Sequence, residues 1–181
     1  RPVGNHVEPK LASGVFDLVI DLAGGRLEHA GHFGPRLALR QSGQRLAQNV
    51  AKKRVNKHGR AIDSLDDHAR GCISEMALAK RLDRFWSGAV GNLKAKDVGE
   101  LQARGTYYAN GGLIVHPDPD DPPGDRYFLI TIQHLRCCIV GWQWGYAAKE
   151  QKFWGDGVSP GSKMRNRPAF LVPQEALEPF V

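Results

Sequence analysis

Asp97, Gln102 and Arg104 bring a carboxylate, an amide and a guanidinium into one short segment of the chain. From Leu101 to Thr106, apolar or small residues alternate with polar ones, which is the two-residue period of a β-strand. Gln102 and Arg104 are therefore expected on one face of that strand, and Asp97 just upstream, where the chain bends at Val98. Such side chains form a poor hydrophobic surface, but they could hold a divalent cation and an anionic oxygen.

This arrangement resembles the motif of the PD-(D/E)XK nuclease superfamily, in which an Asp at a strand start is followed by an acidic or amide residue, any residue, and then Lys. Asp97 matches the Asp, Gln102 the acidic or amide position, and Arg104 the Lys. The resemblance implies Mg²⁺ or Mn²⁺ bound by Asp97, with oxygens from Gln102 and the Ala103 carbonyl, and hydrolysis of phosphodiester bonds. Arg104 departs from the common Lys: it stays protonated near neutral pH, so it can stabilise charge but cannot act as a base.

Glu75 is singled out by its position in a predicted helix that runs from Asp63 or Ser64 to about Arg84. The apolar stripe of this helix contains Glu75 and comprises Ala69, Cys72, Met76, Leu78, Ala79 and Leu82, with Arg70, Ser74 and Arg81 opposite. A carboxylate on a packing face is costly unless it is paired or bound to metal. Glu75 is therefore either half of an ion pair or a metal ligand. The resemblance favours the ligand, because many superfamily members carry a Glu on the first core helix that completes the site.

Basic residues cluster before and after this helix. The candidate contacts to nucleic-acid phosphate are Lys52, Lys53, Arg54 and Lys57, together with Lys94 and Lys96, which flank the approach to Asp97. The first four fall in the last turns of a helix predicted over 39–58, whose apolar face would comprise Leu39, Leu46, Ala47 and Val50. Cations near a helix C-terminus also complement its macrodipole, so helix capping is the alternative explanation.

The remaining elements predict one α/β domain over 39–181, preceded by an extension over 1–38 that has no clear pattern. Strands are predicted at 85–93, 101–108, 113–116, 127–133, 136–144 and 169–172, with short helical segments at 146–153 and 174–180 and an exposed acidic loop at 117–125. The order, a helix followed by a mixed sheet with flanking helices, resembles the restriction-endonuclease-like core of the superfamily. The stretches at 140–142 and 167–170 resemble small phage and prophage proteins of that fold.

Composition and charge narrow the function further. The chain has 181 residues, enough for one domain with a sizeable core, and its net charge of +6 favours an anionic partner such as nucleic acid. No stretch approaches the ~18 apolar residues of a membrane span, and the three cysteines lack C-x-x-C spacing. Together with these features, the resemblance implies a Mg²⁺- or Mn²⁺-dependent DNA nuclease, in the cytoplasm of a bacterial host if the protein is phage-derived. The alternatives are a nucleic-acid-binding protein that has lost catalysis and a phage protein-interaction module.

Overall fold

The computed structural model describes residues 18–19, 35–51, 65–86, 88, 96–133, 136–156 and 168–180. Their helices are α1 (Pro35–Ala51), α2 (Leu65–Arg81) and the short α3 (Gly145–Ala148), with 3₁₀ turns at Gln151–Phe153 and Gln174–Ala176. The strands are β1 (Leu18–Val19), β2 (Leu101–Thr106), β3 (Leu113–Val115), β4 (Arg126–Gln133), β5 (Arg136–Trp144), β6 (Trp154–Gly155), β7 (Ala169–Val172) and β8 (Glu178–Pro179). The protein is thus mixed α/β.

The main sheet has the strand order β1-β5-β4-β2, with β8 paired to β5. Strand β2 runs parallel to β4, whereas β1, β4 and β8 all pair with β5 antiparallel, so the sheet is mixed. A second sheet, β3-β7-β6, is antiparallel. The strands expected at 136–144 and 169–172 are confirmed at both ends, because their β-branched and aromatic runs are bounded by turn residues.

Strand β4 lies between two hydrophobic cores, and its residues 127–132 are all buried. Phe128, Ile130 and Ile132 belong to a core under α2, whereas Tyr127 and Leu129 belong to a core with β3 and β7. A strand covered on both faces carries a continuous apolar run rather than an alternating one. This strand fixes which face of β2 each side chain takes, because β2 pairs with β4 along its whole length.

Helix α2 packs on the β2 face that carries Leu101 and Ala103. The predicted stripe is confirmed, since Ala69, Cys72, Met76, Leu78, Ala79 and also Glu75 are buried. The placement of Ser74 opposite the stripe was wrong, because Ser74 is buried against Gly105 of β2. A Cβ on Gly105 would lie 2.0 Å from Ser74 Oγ and 3.2 Å from the Arg70 carbonyl oxygen. The missing side chain at Gly105 therefore permits the close approach of the helix to the strand.

The buried face of α1 differs from the apolar face expected from the sequence. Leu39 is 57% exposed and Ala47 is exposed, whereas Ala38 and Ser42 are buried. Ser42 satisfies its hydroxyl within the helix by donating to the Ala38 carbonyl at 2.6 Å. Apolar periodicity predicts the wrong face here because α1 presents polar side chains to α2, and a count of apolar residues does not detect such a face.

Two expected boundaries also differ from the structure. Helix α1 begins at Pro35, so the division between an extension and a domain at 38/39 falls inside a helix, and β1 pairs with β5 of the main sheet. Phe85 and Trp86, expected to begin a strand, follow α2 without strand pairing; of the rest of that predicted strand, residues 87 and 89–93 lie outside the described residues.

No helix among the described residues is long and apolar enough to cross a membrane.

Candidate active site

Asp97 lies in a tight turn that leads into β2. Its N–H donates to the Leu101 carbonyl at 3.1 Å, and Leu101 N–H donates back to the Val98 carbonyl at 3.0 Å. Gly99 closes the turn with φ +61°, a conformation that side chains beyond glycine rarely adopt. Asp97 Oδ2 accepts the N–H of Ala103 at 2.8 Å. The predicted bend and strand are confirmed, and the carboxylate is held against the backbone of β2.

Arg104 connects Asp97 to the acidic loop. One guanidinium nitrogen, Nη1, lies 3.6 Å from Asp97 Oδ2 and donates to the Ala103 carbonyl at 3.1 Å. The other, Nη2, donates to Asp121 Oδ1 at 2.8 Å, and the guanidinium carbon stacks 5.1 Å from the centre of the Tyr127 ring. Arg104 is thereby oriented on three sides, as a group that must stabilise charge at a defined point requires.

Asp121 corrects the expectation that residues 117–125 form a wholly exposed loop. It is 6% exposed, and its second oxygen accepts the His116 N–H at 2.8 Å. A buried carboxylate needs such partners, and Arg104 supplies the compensating charge. The other residues of the loop from Asp118 to Asp120 are exposed as expected.

Gln102 shares the β2 face of Arg104, as the strand period predicts. In register they pair with Tyr127 and Leu129 of β4, on the face opposite α2. The Gln102 amide nitrogen donates to Asp125 Oδ2 at 3.2 Å, and Lys96 Nζ forms an ion pair with the same oxygen. A glutamate at position 102 would bring a second carboxylate against Asp125, so the neutral amide suits this neighbour.

Glu75 forms an ion pair across the interface of α1 and α2. Arg45 binds it with both terminal nitrogens, Nη1 to Oε1 at 2.8 Å and Nη2 to Oε2 at 2.9 Å. The indole N–H of Trp86 donates to Oε2 at 2.9 Å, and Trp86 is itself buried. Of the two roles left open by the sequence, the ion pair is therefore present. Bidentate arginine pairing is among the strongest arrangements available to a buried carboxylate.

The charges of Glu75 and Asp97 act on each other. Burial, and after it the negative charge of Glu75, raise the pKa of Asp97 to about 6, although Arg104 and the Ala103 N–H act in the opposite direction. The two acids therefore lie within electrostatic reach of each other. Negative charge at Asp97 is unfavourable at neutral pH, which is the condition that a bound cation would relieve.

Three buried polar atoms on α1 have no hydrogen-bond partner within the described part of the chain. They are Gln41 Oε1, Arg45 Nε and Gln48 Oε1 on α1. Buried polar atoms are normally satisfied, so the space around them suits water or a polar ligand. A polar seam thus runs along α1 beside the pair of Arg45 and Glu75.

The donor set can be tested against a divalent cation. Across the described segments, no three His, Cys, Asp or Glu side chains converge as a metal cluster. Asp97 and the Ala103 carbonyl fit, because hard cations take carboxylate and carbonyl oxygens and both groups face the Arg104 side of the turn. Glu75 fits only as a ligand that exchanges Arg45 for the metal, since each of its oxygens already accepts a bond from Arg45 or Trp86.

Sequence reasoning missed the side-chain partners of the predicted site residues. Arg45, Trp86, Asp121 and Asp125 bind the predicted residues from 11 to 30 positions away along the chain. The burial of Glu75 indicated that it needs a cationic partner. A single sequence does not show which of the basic residues that partner is, and the structure identifies it as Arg45. Lys96 pairs with Asp125, and the other predicted phosphate contacts, Lys52, Lys53, Arg54, Lys57 and Lys94, lie outside the described residues.

Comparison with protein-family models, with curated proteins and with solved structures found no significant match to this chain.

Proposed function

We propose that the protein is a divalent-metal-dependent nuclease that hydrolyses DNA phosphodiester bonds at a variant PD-(D/E)XK site on a restriction-endonuclease-like core. The observation that carries the proposal is the environment of Asp97. Its carboxylate is tied to the start of β2, its pKa is raised to about 6 by burial and by Glu75, and Arg104 lies 3.6 Å away. A strained acid beside an oriented cation is typical of a site for a charged ligand.

Each residue has a distinct role in this proposal. Asp97 and the Ala103 carbonyl would hold the cation, with Glu75 as a further acid that exchanges Arg45. Arg104, held by Asp121 and stacked on Tyr127, would stabilise the negative charge that develops on the phosphate. Gln102 orients Asp125 and offers its amide oxygen to the same region. The bound cation would supply Lewis-acid activation of the phosphate and of a water molecule.

Cleavage assays on labelled single- and double-stranded DNA test the proposal. We expect the unmodified protein to cut in Mn²⁺ and not in EDTA, and Asp97→Ala and Arg104→Met to lose at least about a hundredfold in rate, the size of effect typical of a charge-stabilising group. Glu100→Gln, which removes an exposed acid from the same turn, is the matched control and should cut normally. Metal-dependent cleavage that survives in Asp97→Ala would reject the assignment of the site.

A second candidate is DNA binding without cleavage, and one observation favours it. Arg45 neutralises Glu75 by a bidentate bond, and Asp121 engages Arg104, so two groups that hydrolysis needs are already paired within the protein. In that case DNA binding should be equal in Mn²⁺ and in EDTA, and no DNA substrate should be cut. Mn²⁺-dependent cutting by the unmodified protein excludes this candidate.

A further inference from the structure

Four aromatic rings form a continuous ladder along β4, β5 and α3. The ring centres are 6.1 Å apart for Phe128 and Trp142, 5.9 Å for Trp142 and Trp144, and 6.0 Å for Trp144 and Tyr146. We call Phe128, Trp142, Trp144 and Tyr146 the aromatic ladder. Phe128 is buried in the core under α2, the two tryptophans are half-buried, and Tyr146 is 62% exposed. The ladder therefore runs from the core to the surface.

At the outer end of the ladder Tyr146 is exposed, and its ring is nearly parallel to that of the half-buried Trp144. The rings of Trp144 and Tyr146 are inclined by only 18°, so they stack rather than meet edge to face. The Arg126 guanidinium lies 5.5 Å from the centre of the Trp144 ring. Stacked rings with an arginine over one of them form the combination on which nucleic-acid bases stack, because every base has a π-face and arginine adds a cation–π contact.

The ladder lies on the α2 face of the main sheet, at the end where Asp97 leads into β2, whereas Gln102 and Arg104 lie on the opposite face. Trp144 pairs with Arg126 across β5 and β4, and Arg126 pairs with Leu101 across β4 and β2. Leu101 accepts the N–H of Asp97, so Trp144, Arg126, Leu101 and Asp97 follow one row across the sheet. With about 4.8 Å between neighbouring strands, the Trp144 backbone is about 10 Å from that of Leu101. At roughly 3.4 Å per nucleotide of one strand, this separation corresponds to about three nucleotides.

The charge around the ladder favours an anionic strand. Within the described residues, Arg84 and Arg126 form no ion pair, and the Arg84 guanidinium lies at the Gly99 turn that carries Asp97. Arg81 stacks 5.0 Å from the Phe180 ring, which in turn packs edge-on against Phe128. A row of rings flanked by guanidinium groups, on a chain of net charge +6, complements bases joined by phosphates.

We propose that the aromatic ladder is a stacking platform for unpaired bases, so that the protein engages single-stranded DNA next to the Asp97 site. In a duplex the bases are already stacked on one another, and their faces are inaccessible to Trp144 and Tyr146. The platform would hold nucleotides of the strand whose scissile phosphate lies at Asp97. The location of that phosphate rests on the proposed function, but base stacking itself requires neither metal nor cleavage.

Binding in EDTA tests the platform independently of catalysis. The probe is a fluorescently labelled 20-nucleotide single strand, measured by anisotropy, with the same sequence as a duplex for comparison. We expect tighter binding to the single strand, and for Tyr146→Ala a loss of affinity of about 5- to 150-fold, the range for one base-stacking ring. Tyr146→Phe keeps the ring and should stay within about twofold of the unmodified protein.

Tyr108 provides the matched control, because it is an exposed tyrosine (75%) just beyond the opposite end of β2. Tyr108→Ala should leave affinity within about twofold, as expected for a ring outside the platform. A loss smaller than fivefold in Tyr146→Ala, an equal loss in Tyr108→Ala, or no preference for the single strand overturns the proposal. If Tyr146→Ala weakens binding but the Mn²⁺ cleavage assay is negative, the platform is supported and the nuclease proposal fails. If the protein cleaves DNA but Tyr146→Ala binds as tightly as the unmodified protein, the nuclease proposal is supported and the platform fails.

Discussion

At the scale of single residues, the candidate site contains charged side chains that are compensated by partners within the protein and one carboxylate, Asp97, whose charge is not fully compensated. Glu75 is compensated by Arg45 and Trp86, and Arg104 by Asp121. Asp97 is the exception, because burial and Glu75 outweigh the help it receives from Arg104 and the Ala103 N–H. Residues kept in unfavourable environments concentrate at functional sites. This contrast is the reason that Asp97, rather than the better-bonded Glu75, carries the functional proposal.

The raised pKa of Asp97 predicts how stability depends on pH. The folded state keeps the Asp97 proton up to about pH 6, whereas the unfolded chain releases it near pH 4. Below about pH 4 Asp97 is protonated in both states and does not change the free energy of unfolding. As the pH rises to 6 and above, ionisation of Asp97 lowers the free energy of unfolding by at most about 3 kcal/mol. Asp97→Asn, which can still accept the Ala103 N–H, should raise the melting temperature at pH 8 and change it little at pH 4.

Thermal melts of both proteins in EDTA at the two pH values measure this difference. Glu100→Gln is the control for removing an acid from the same turn, and should shift the melting temperature equally at both pH values. Asp97→Asn that is less stable than the unmodified protein at pH 8 would contradict the prediction, since Asp97 would then be stabilised when ionised.

At the scale of elements, the close packing of α2 on β2 brings Glu75 towards Asp97. Helix α2 is anchored by its apolar stripe on Leu101, Ala103 and β4, and Gly105 allows the helix backbone near Ser74 and Arg70 to approach the strand. Helix α1 then adds Arg45, which pairs with Glu75. The position of the Glu75 carboxylate thus depends on the packing of three elements, α1, α2 and β2.

Gly105→Ala should therefore destabilise the protein by about 1–3 kcal/mol, the usual penalty for overpacking a close contact. The new Cβ would meet Ser74 Oγ at 2.0 Å and force α2 away from β2. Gly43→Ala in α1 is the matched control: a Cβ there meets nothing within 4 Å, and alanine should stabilise the helix by about 0.5–1 kcal/mol. Denaturant unfolding of the three proteins gives both values, and a Gly105→Ala variant as stable as the unmodified protein would show that α2 does not depend on this contact.

At the scale of the whole molecule, the net charge of +6 predicts binding to nucleic acid that weakens with salt. The exposed outer end of the aromatic ladder and the arginines near it supply one surface for such binding. The dense cluster of Lys52, Lys53, Arg54 and Lys57 remains a prediction of the sequence. Phosphate binding by that cluster would act alike on every DNA sequence, because a phosphate carries no base identity.

Changing Lys52, Lys53, Arg54 and Lys57 together to Ala should weaken DNA binding at every sequence and flatten the dependence of log affinity on log salt. The slope should fall by about 0.7 to 0.9 for each phosphate that the variant no longer neutralises, or about 3 to 4 if each of the four side chains neutralises one. A control variant with Arg at positions 52, 53 and 57 keeps the charges and should keep the slope. An unchanged slope in the Ala variant would assign the cluster to helix capping instead.

Local periodicity was enough to predict the order and type of most described elements, the face shared by Gln102 and Arg104, and the burial of Glu75. A strand alternates every two residues and α2 has a continuous apolar stripe, so these features can be read from the sequence without knowledge of the fold. The bend next to Asp97 was predictable for the same reason, because it is a local property of Val98 and Gly99.

The partners of the site residues, in contrast, follow from the tertiary structure alone. Arg45 on Glu75, Asp121 on Arg104 and Asp125 on Gln102 join positions 30, 17 and 23 residues apart. The polar buried face of α1 and the burial of Asp121 were missed for the same reason: a polar residue is buried only when a distant partner compensates it, and periodicity does not encode partners. The aromatic ladder likewise requires β5 to pair with β4, since that pairing aligns Trp142 with Phe128 and Trp144 with Arg126.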